Sequence, residues 1–208
     1  MLKYFFDEDY FEAGLETGRS CYQNYRWLPE ETMSLAMRFI DRFNLGKDDC
    51  ILDYGCSKGY LVKAFHLLHR QAYGFDVSEY AISQVPEEVK QFCWQGDSYN
   101  ESWGIPNFKL CIAKDVFEHI PLHDLKITLQ RIKAERLFAV IPLGDGGTYR
   151  SKVNNLDPSH IVCCSEVEWM DFFEETKIWT IEDFSFSFKG LKEHHPENSH
   201  GFFTLRRL

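Results

Sequence analysis

The stretch Ile51-Leu52-Asp53-Tyr54-Gly55-Cys56-Ser57-Lys58-Gly59 constrains this chain more than any other. A short apolar run ends in an acidic residue, two glycines stand four apart, and the apolar periodic segment Tyr60 to Leu68 follows. The order reads as strand, tight turn, helix. Glycines in such a turn let a ligand approach the backbone, and a helix N-terminus presents unpaired N–H groups to it. The pattern implies a site for a nucleotide-like molecule.

Three motifs compete for the turn. The dinucleotide fingerprint G-x-G-x-x-G is not present, which opposes a nicotinamide-dependent oxidoreductase. The nucleophile elbow G-x-S-x-G matches Gly55 to Gly59 literally and would make Ser57 a nucleophile. The elbow, however, normally rises from a sheet after several strands, whereas the residues before Ser57 read as helical and include no HGGG-like segment. The third motif is acidic-x-G-x-G-x-G, with Ser57 in place of the middle glycine. In that reading Ser57 makes the turn, and its hydroxyl is expected to cap the following helix.

Downstream residues favour the third motif. Gln71 to Val77 reads as a second strand whose terminal acid, Asp76, lies 23 residues after Asp53. That is close to the spacing of about 20 at which such folds place a ribose-binding carboxylate. A third strand is expected over Gln91 to Trp94, followed by Gly96-Asp97-Ser98. A fourth runs from Phe108 to Ala113 into Lys114-Asp115-Val116-Phe117-Glu118-His119. A fifth covers Arg136 to Pro142, a helix with apolar Leu125, Leu129 and Ile132 lies between the last two, and Gly144 to Pro158 reads as a loop. Near the C-terminus, Glu166 to Thr176 has helical spacing, and Ile178 to Phe188 and Gly201 to Leu205 read as strands. The alternation predicts an α/β fold: a Rossmann-like, seven-stranded, mostly parallel sheet with helices on both faces and a C-terminal antiparallel strand pair.

With Asp53, Gly55, Gly59, Asp76, Gly96-Asp97, Asp115-x-x-Glu118-His119 and Asp157-Pro158-Ser159-His160 in order, the chain resembles the class I S-adenosylmethionine-dependent methyltransferases. Within that family it looks most like small-molecule O-methyltransferases, including those of quinone and sugar biosynthesis. The resemblance spans residues 30–208. It implies S-adenosyl-L-methionine as methyl donor and a hydroxyl of a small metabolite (a sugar, phenol or quinone precursor) as acceptor. By resemblance, Gly55, Ser57 and Gly59 let the donor's methionine moiety approach the backbone, and Asp53 organises that loop or meets the amino group. Asp76 accepts the ribose hydroxyls, Val77 packs on the adenine, Asp97 and Ser98 meet the adenine edge, and Asp115 stands near the sulfonium. His119 and His160 are the candidate general bases, because imidazole titrates near neutral pH.

Asp115, Glu118 and His119, with the distant His160, also have the composition of a divalent-metal site. They resemble the E-x-x-E-H plus histidine of small-RNA 3′-end 2′-O-methyltransferases and of metal-assisted quinone O-methyltransferases. A Mg2+ ion there would lower the pKa of substrate hydroxyls. Metal-free relatives carry a similar acid-x-x-Glu-His segment, so no metal ligand is assigned. A non-catalytic methyltransferase-like binding subunit is the further alternative that Ser57 raises.

The segment 1–45 precedes the sheet and is expected to form an aromatic-rich helical strap or lid on the donor-binding unit, 46–208. It carries Tyr4, Phe5, Phe6, Tyr10, Phe11, Tyr22, Tyr25 and Trp27. A helix start at Pro29-Glu30-Glu31-Thr32 is followed by Met33, Met37, Ile40 and Phe43 as its expected buried stripe. A net charge of −9 opposes a long nucleic-acid partner. No apolar run reaches the length of a membrane span, and no signal peptide is visible. The odd count of 7 cysteines suggests reduced thiols in a cytoplasmic setting.

Overall fold

The strands β1 (Cys50–Tyr54), β2 (Gln71–Asp76), β4 (Phe108–Lys114) and β5 (Ala134–Pro142) are almost unbroken apolar runs because the sheet they form is covered on both faces. Successive residues alternate between two cores. Ile51, Leu110, Ile112, Phe138 and Val140 pack with helices α3 (Pro29–Phe43) and α4 (Tyr60–Leu67). Leu52, Cys111, Leu137 and Ala139 pack with α6 (Leu122–Arg131) and α7 (Glu166–Glu175). The computed structural model describes residues 5–98 and 107–208, so Tyr4 of the aromatic segment lies outside it.

With β3 (Cys93–Gln95), β8 (Trp179–Ser185) and β9 (His200–Arg207), the sheet has seven strands in the order β3-β2-β1-β4-β5-β9-β8. Strands β3, β2, β1, β4 and β5 run parallel, while β9 is antiparallel to both β5 and β8. The strand order reverses between β2-β1 and β4, and folds of this type open a ligand crevice at the carboxyl ends of the strands around that point.

Local chemistry explains the helix boundaries. Helix α3 has proline in its first turn, Glu30 and Glu31 there against the helix dipole, and left-handed Asn44 as its cap. Helix α7 starts on a capping box between Ser165 and Glu168.

Three expectations are corrected. The buried face of α3 is Leu35, Ala36 and Phe39, and Met37 is 58% exposed. Met33, Ile40 and Phe43 pack at the edge of that core, so the chosen stripe was rotated around the helix. Gly144 to Pro158, expected as a loop, contains a hairpin of β6 (Gly144–Asp145) and β7 (Thr148–Tyr149). Its two-residue turn is Gly146-Gly147, both at positive φ, as such hairpins require. The third strand begins two residues late, after a 3-10 turn over Lys90–Phe92.

The N-terminal α1 (Glu8–Glu12) and α2 (Gly14–Thr17) build a separate aromatic cluster. Tyr10 and Phe11 pack there with Ala81 of α5 (Glu79–Ser83), and with Phe6, Tyr22, Tyr25 and Tyr80.

Candidate functional site

The turn after β1 is held in an uncommon backbone shape. Gly55, Ser57 and Gly59 all lie in the left-handed region, at φ +76°, +50° and +68°. A Cβ on Gly55 would stand 2.5 Å from Val116 Cγ2, so both φ and space demand glycine there. Ser57 tolerates its φ because its N–H donates to Asp76 Oδ2 at 2.8 Å. Ser78 N–H donates to Asp76 Oδ1 at 2.8 Å. Burial raises the Asp76 pKa above the usual carboxylate value, against these N–H bonds, which favour the ionised form. Ser57 does not cap α4 as expected: Gly59 is the cap residue, and no side chain completes it. Ser57 Oγ bonds no histidine, which leaves the nucleophile elbow without its base.

A cavity of about 1080 Å³ opens over this turn. Asp53, Gly55, Ser57, Asp76, Val77, Asp97, Ser98, Asp115 and His119 line it, whereas Gly59 and His160 do not. Its roof includes Phe6, Tyr10, Phe11, Tyr22, Tyr25 and Arg26 from the N-terminal segment. Asp53 is pushed up to about 7, chiefly by burial, with Lys114 opposing and Asp76 adding to the rise. Lys114 Nζ donates to Asp115 Oδ2 at 3.0 Å, and Lys192 Nζ approaches the same oxygen at 2.7 Å. Burial alone would raise the Asp115 pKa, but Lys114 and then Lys192 hold it well below the carboxylate range. Burial opposes the charge of Lys114, yet Asp115 and the nearby tyrosines keep its pKa above the ordinary value.

Behind His119 lies a second group. The Glu118 side chain is fully buried, and neither carboxyl oxygen has a hydrogen-bond partner. His119 Nε2 stands 4.0 Å and His160 Nε2 3.9 Å from Glu118 Oε1. Each imidazole is anchored through its other nitrogen: His119 Nδ1 on Ser159 O at 3.1 Å and His160 Nδ1 on Asn154 O at 2.8 Å. Backbone bonds from Ile161 and Val162 to the Glu118 carbonyl hold the two segments together. Burial pushes Glu118 well above its usual range, lowers His160, and takes His119 down to about 4. Asp115, three residues before Glu118 in the same segment, stands apart from this group and is held by its two lysines.

No protein-family model matches the sequence, and no curated protein does. Similar solved structures include the pyocyanin biosynthetic protein PhzM, at 12% identity and TM-score 0.57 over 84% of this chain and 55% of that one. The mitomycin 7-O-methyltransferase MmcR is 15% identical at TM-score 0.56, over 94% and 66% of the two chains. The magnesium protoporphyrin IX methyltransferase ChlM from Synechocystis PCC 6803, solved with bound SAH, is 15% identical at TM-score 0.56, over 86% and 83%. The chain has the class I methyltransferase fold. It spans 55% and 66% of the first two of these proteins. Among the described residues no helix is long and apolar enough to cross a membrane.

Several site residues were invisible in the motifs of the methyltransferase fold. Lys58, inside the glycine turn, reads as a solvent-facing loop residue. Its side chain is only 7% exposed, pairs with Glu12 of α1, and donates to Tyr25 O at 2.8 Å. Tyr80 donates to the same Glu12 at 3.0 Å, and Ser78 Oγ to Phe6 O at 2.5 Å. Tyr10 donates to Asp157 Oδ2 at 2.9 Å. These bonds fasten the N-terminal segment over the cavity. The one sequence cue was the aromatic load of the segment. Lys192 sits in the 186–199 connection, a loop expected to border the pocket, but no motif marks the residue itself.

Proposed function

We propose that the protein is an S-adenosylmethionine-dependent methyltransferase whose acceptor atom is an oxygen of a small molecule. The observation that carries the reading is the Asp76 carboxylate, docked on the glycine turn by Ser57 and facing the cavity. Each of its oxygens accepts one N–H and keeps a lone pair for a ribose hydroxyl. Val77 packs on the adenine, and Asp97 and Ser98 meet its edge. The shape of Gly55 leaves the backbone open to the methionine portion. Asp53, half-neutral near pH 7 by itself, is held ionised by an ammonium brought beside it.

The donor supplies a methyl group on a sulfonium, an excellent leaving group, so the chain's main task is alignment. His119, the histidine of the cavity wall, is the candidate to accept the acceptor's proton in the metal-free protein, through Nε2, since Nδ1 is held on Ser159 O, and His160 packs edge-on against it. The N-terminal aromatic roof excludes water. A cavity of this size, roofed by aromatic side chains and lying in an acidic chain, suits a metabolite better than a long nucleic acid.

Calorimetry with S-adenosylmethionine tests the reading. Native protein is expected to bind in the micromolar range, and Asp76→Ala to weaken binding tenfold or more, about 1.4 kcal/mol. No binding by native protein overturns it.

The unpartnered oxygens of Glu118 favour one addition. Glu118, His119 and His160 offer ligand atoms within 4.8 Å of one another. Both imidazoles are oriented by backbone carbonyls, as metal-bound histidines usually are. Two nitrogens and one carboxylate suit zinc or a transition metal, whereas Mg2+ demands a mostly oxygen shell. The residues therefore do not fit the Mg2+ that the resemblance implied. Zn2+ or Mn2+ is expected to raise the melting temperature of native protein and not that of Glu118→Ala, with Mg2+ without effect on either. An equal response from both proteins removes the addition.

A further inference from the structure

Among the described residues, Arg26, Lys114 and Arg131 are the cations on the cavity wall, and Lys114 is the one that ends β4, beside Asp115. On the methyltransferase reading the donor would lie across the strand ends, from Asp97 past β3 through Asp76 on β2 to Asp53 on β1, which are adjacent in the sheet. Strand β4 is the other neighbour of β1, so Lys114, its last residue, stands where the donor ends and the acceptor begins. Tyr22 and Tyr25 of the roof are near enough for Lys114 to act on both. His119 lines the same cavity.

The charge at this corner does not balance. Lys114 and Lys192 share one oxygen of Asp115, at 3.0 and 2.7 Å. Two ammonium groups thus face one carboxylate. Asp53 also acts on Lys114 but is taken up by the donor's ammonium, and Glu118, which both lysines reach, is kept neutral by burial. An ammonium carries three donors, and Asp115 takes one from Lys114. Lys192, reaching in from the β8–β9 connection, is what makes the arrangement productive. It satisfies Asp115 independently and leaves Lys114 free to serve a ligand. The donor's own carboxylate has a different cation available, Arg26, which lies on the cavity wall with Tyr60 of the first turn of α4.

We propose that the methyl acceptor is a small anionic molecule, a hydroxylated carboxylate or phosphate, whose anionic group docks on Lys114 beside the oxygen to be methylated. The proposal rests on the methyltransferase reading and adds the acceptor's charge to it. Lys114 acts here as a specificity-determining residue. It sets the acceptor's position through the anionic group.

The test uses matched pairs: hydroxybenzoates against hydroxybenzamides, and sugar phosphates against the free sugars. Binding to the protein loaded with S-adenosylhomocysteine and methylation from S-adenosylmethionine are both read. An anionic member is expected to bind and react at least tenfold better than its neutral twin, and the pair that responds distinguishes carboxylate from phosphate. Lys114→Gln is expected to raise KM for that anion at least tenfold and to leave its neutral twin, and S-adenosylhomocysteine affinity, within about threefold. Lys114→Arg keeps part of the preference. The glutamine variant retains the Asp115–Lys192 pair, so its fold is preserved. The proposal is overturned if no anion outperforms its neutral twin on loaded protein, or if Lys114→Gln loses donor affinity instead, which would hand the lysine to the donor. Failure of the methyltransferase reading looks different: native protein would not bind S-adenosylhomocysteine at all.

Discussion

Asp76 ends β2 and Glu118 follows β4, the two strands that flank β1, and the two carboxyl groups are treated in opposite ways. Each oxygen of Asp76 accepts a backbone N–H at 2.8 Å. Both oxygens of Glu118 are buried with no hydrogen-bond partner. The donors for Asp76 come from its own turn and from the glycine turn beside it, so a short stretch of chain suffices to orient the acid. The surroundings of Glu118 come from Asn154 to Val162, a segment that the fold must first bring alongside. A carboxylate with backbone donors is a finished binding group. A buried one without donors stays protonated or waits for a cation.

Asp53 lies between the two cases and gives the largest effect. Its folded-state pKa, about 7, stands above the ordinary 3.8. The folded protein therefore binds more protons than the unfolded chain between those values. The stability tied to protonated Asp53 is complete below about pH 4 and is lost as pH rises through about 7, a change of up to about 4 kcal/mol. Urea unfolding from pH 4 to 8 is expected to show that decline in native protein and a flatter profile in Asp53→Asn. Equal slopes would place Asp53 with the solvated carboxylates.

The direct comparison is Asp76→Asn against Glu118→Gln at neutral pH without added metal. The asparagine turns an N–H toward one of the two backbone N–H donors, and the expected cost is about 1–3 kcal/mol. Glutamine replaces a carboxyl that burial already keeps neutral, so its cost is expected to stay below about 1 kcal/mol. Should the order reverse in thermal unfolding, the contrast between the two acids is wrong.

The last effect concerns the roof. Glu12→Gln leaves the Lys58 ammonium with neutral acceptors only, Tyr25 O and the amide oxygen. Because Glu12 is 28% exposed, the loss is expected to be only about 1 kcal/mol. It should appear as faster proteolysis of the N-terminal segment, suppressed by S-adenosylmethionine. Unchanged cleavage would mean that the aromatic cluster holds the roof without the ion pair.

What the sequence carried was whatever depends on near neighbours. Strand β4, read as Phe108 to Ala113, is Phe108–Lys114, and the C-terminal helix and antiparallel strand pair stand where their patterns placed them. Runs buried on both faces leave an apolar signature that no other arrangement explains. Asp53, Gly55, Ser57 and Asp76 were equally legible, since a turn between a strand and a helix must be written in consecutive residues. The buried face of α3 was not, because Met33, Met37, Ile40 and Phe43 are as apolar as Leu35, Ala36 and Phe39, and only the sheet selects between them. Nor was the clamp of Lys58 on Glu12, the pairing of Lys192 with Asp115, or the meeting of Glu118 with His160. Charge and hydrogen-bonding groups far apart in the chain carry no mark of their partners. Their pairing is decided when packing brings them together and removes the water that would otherwise have served them.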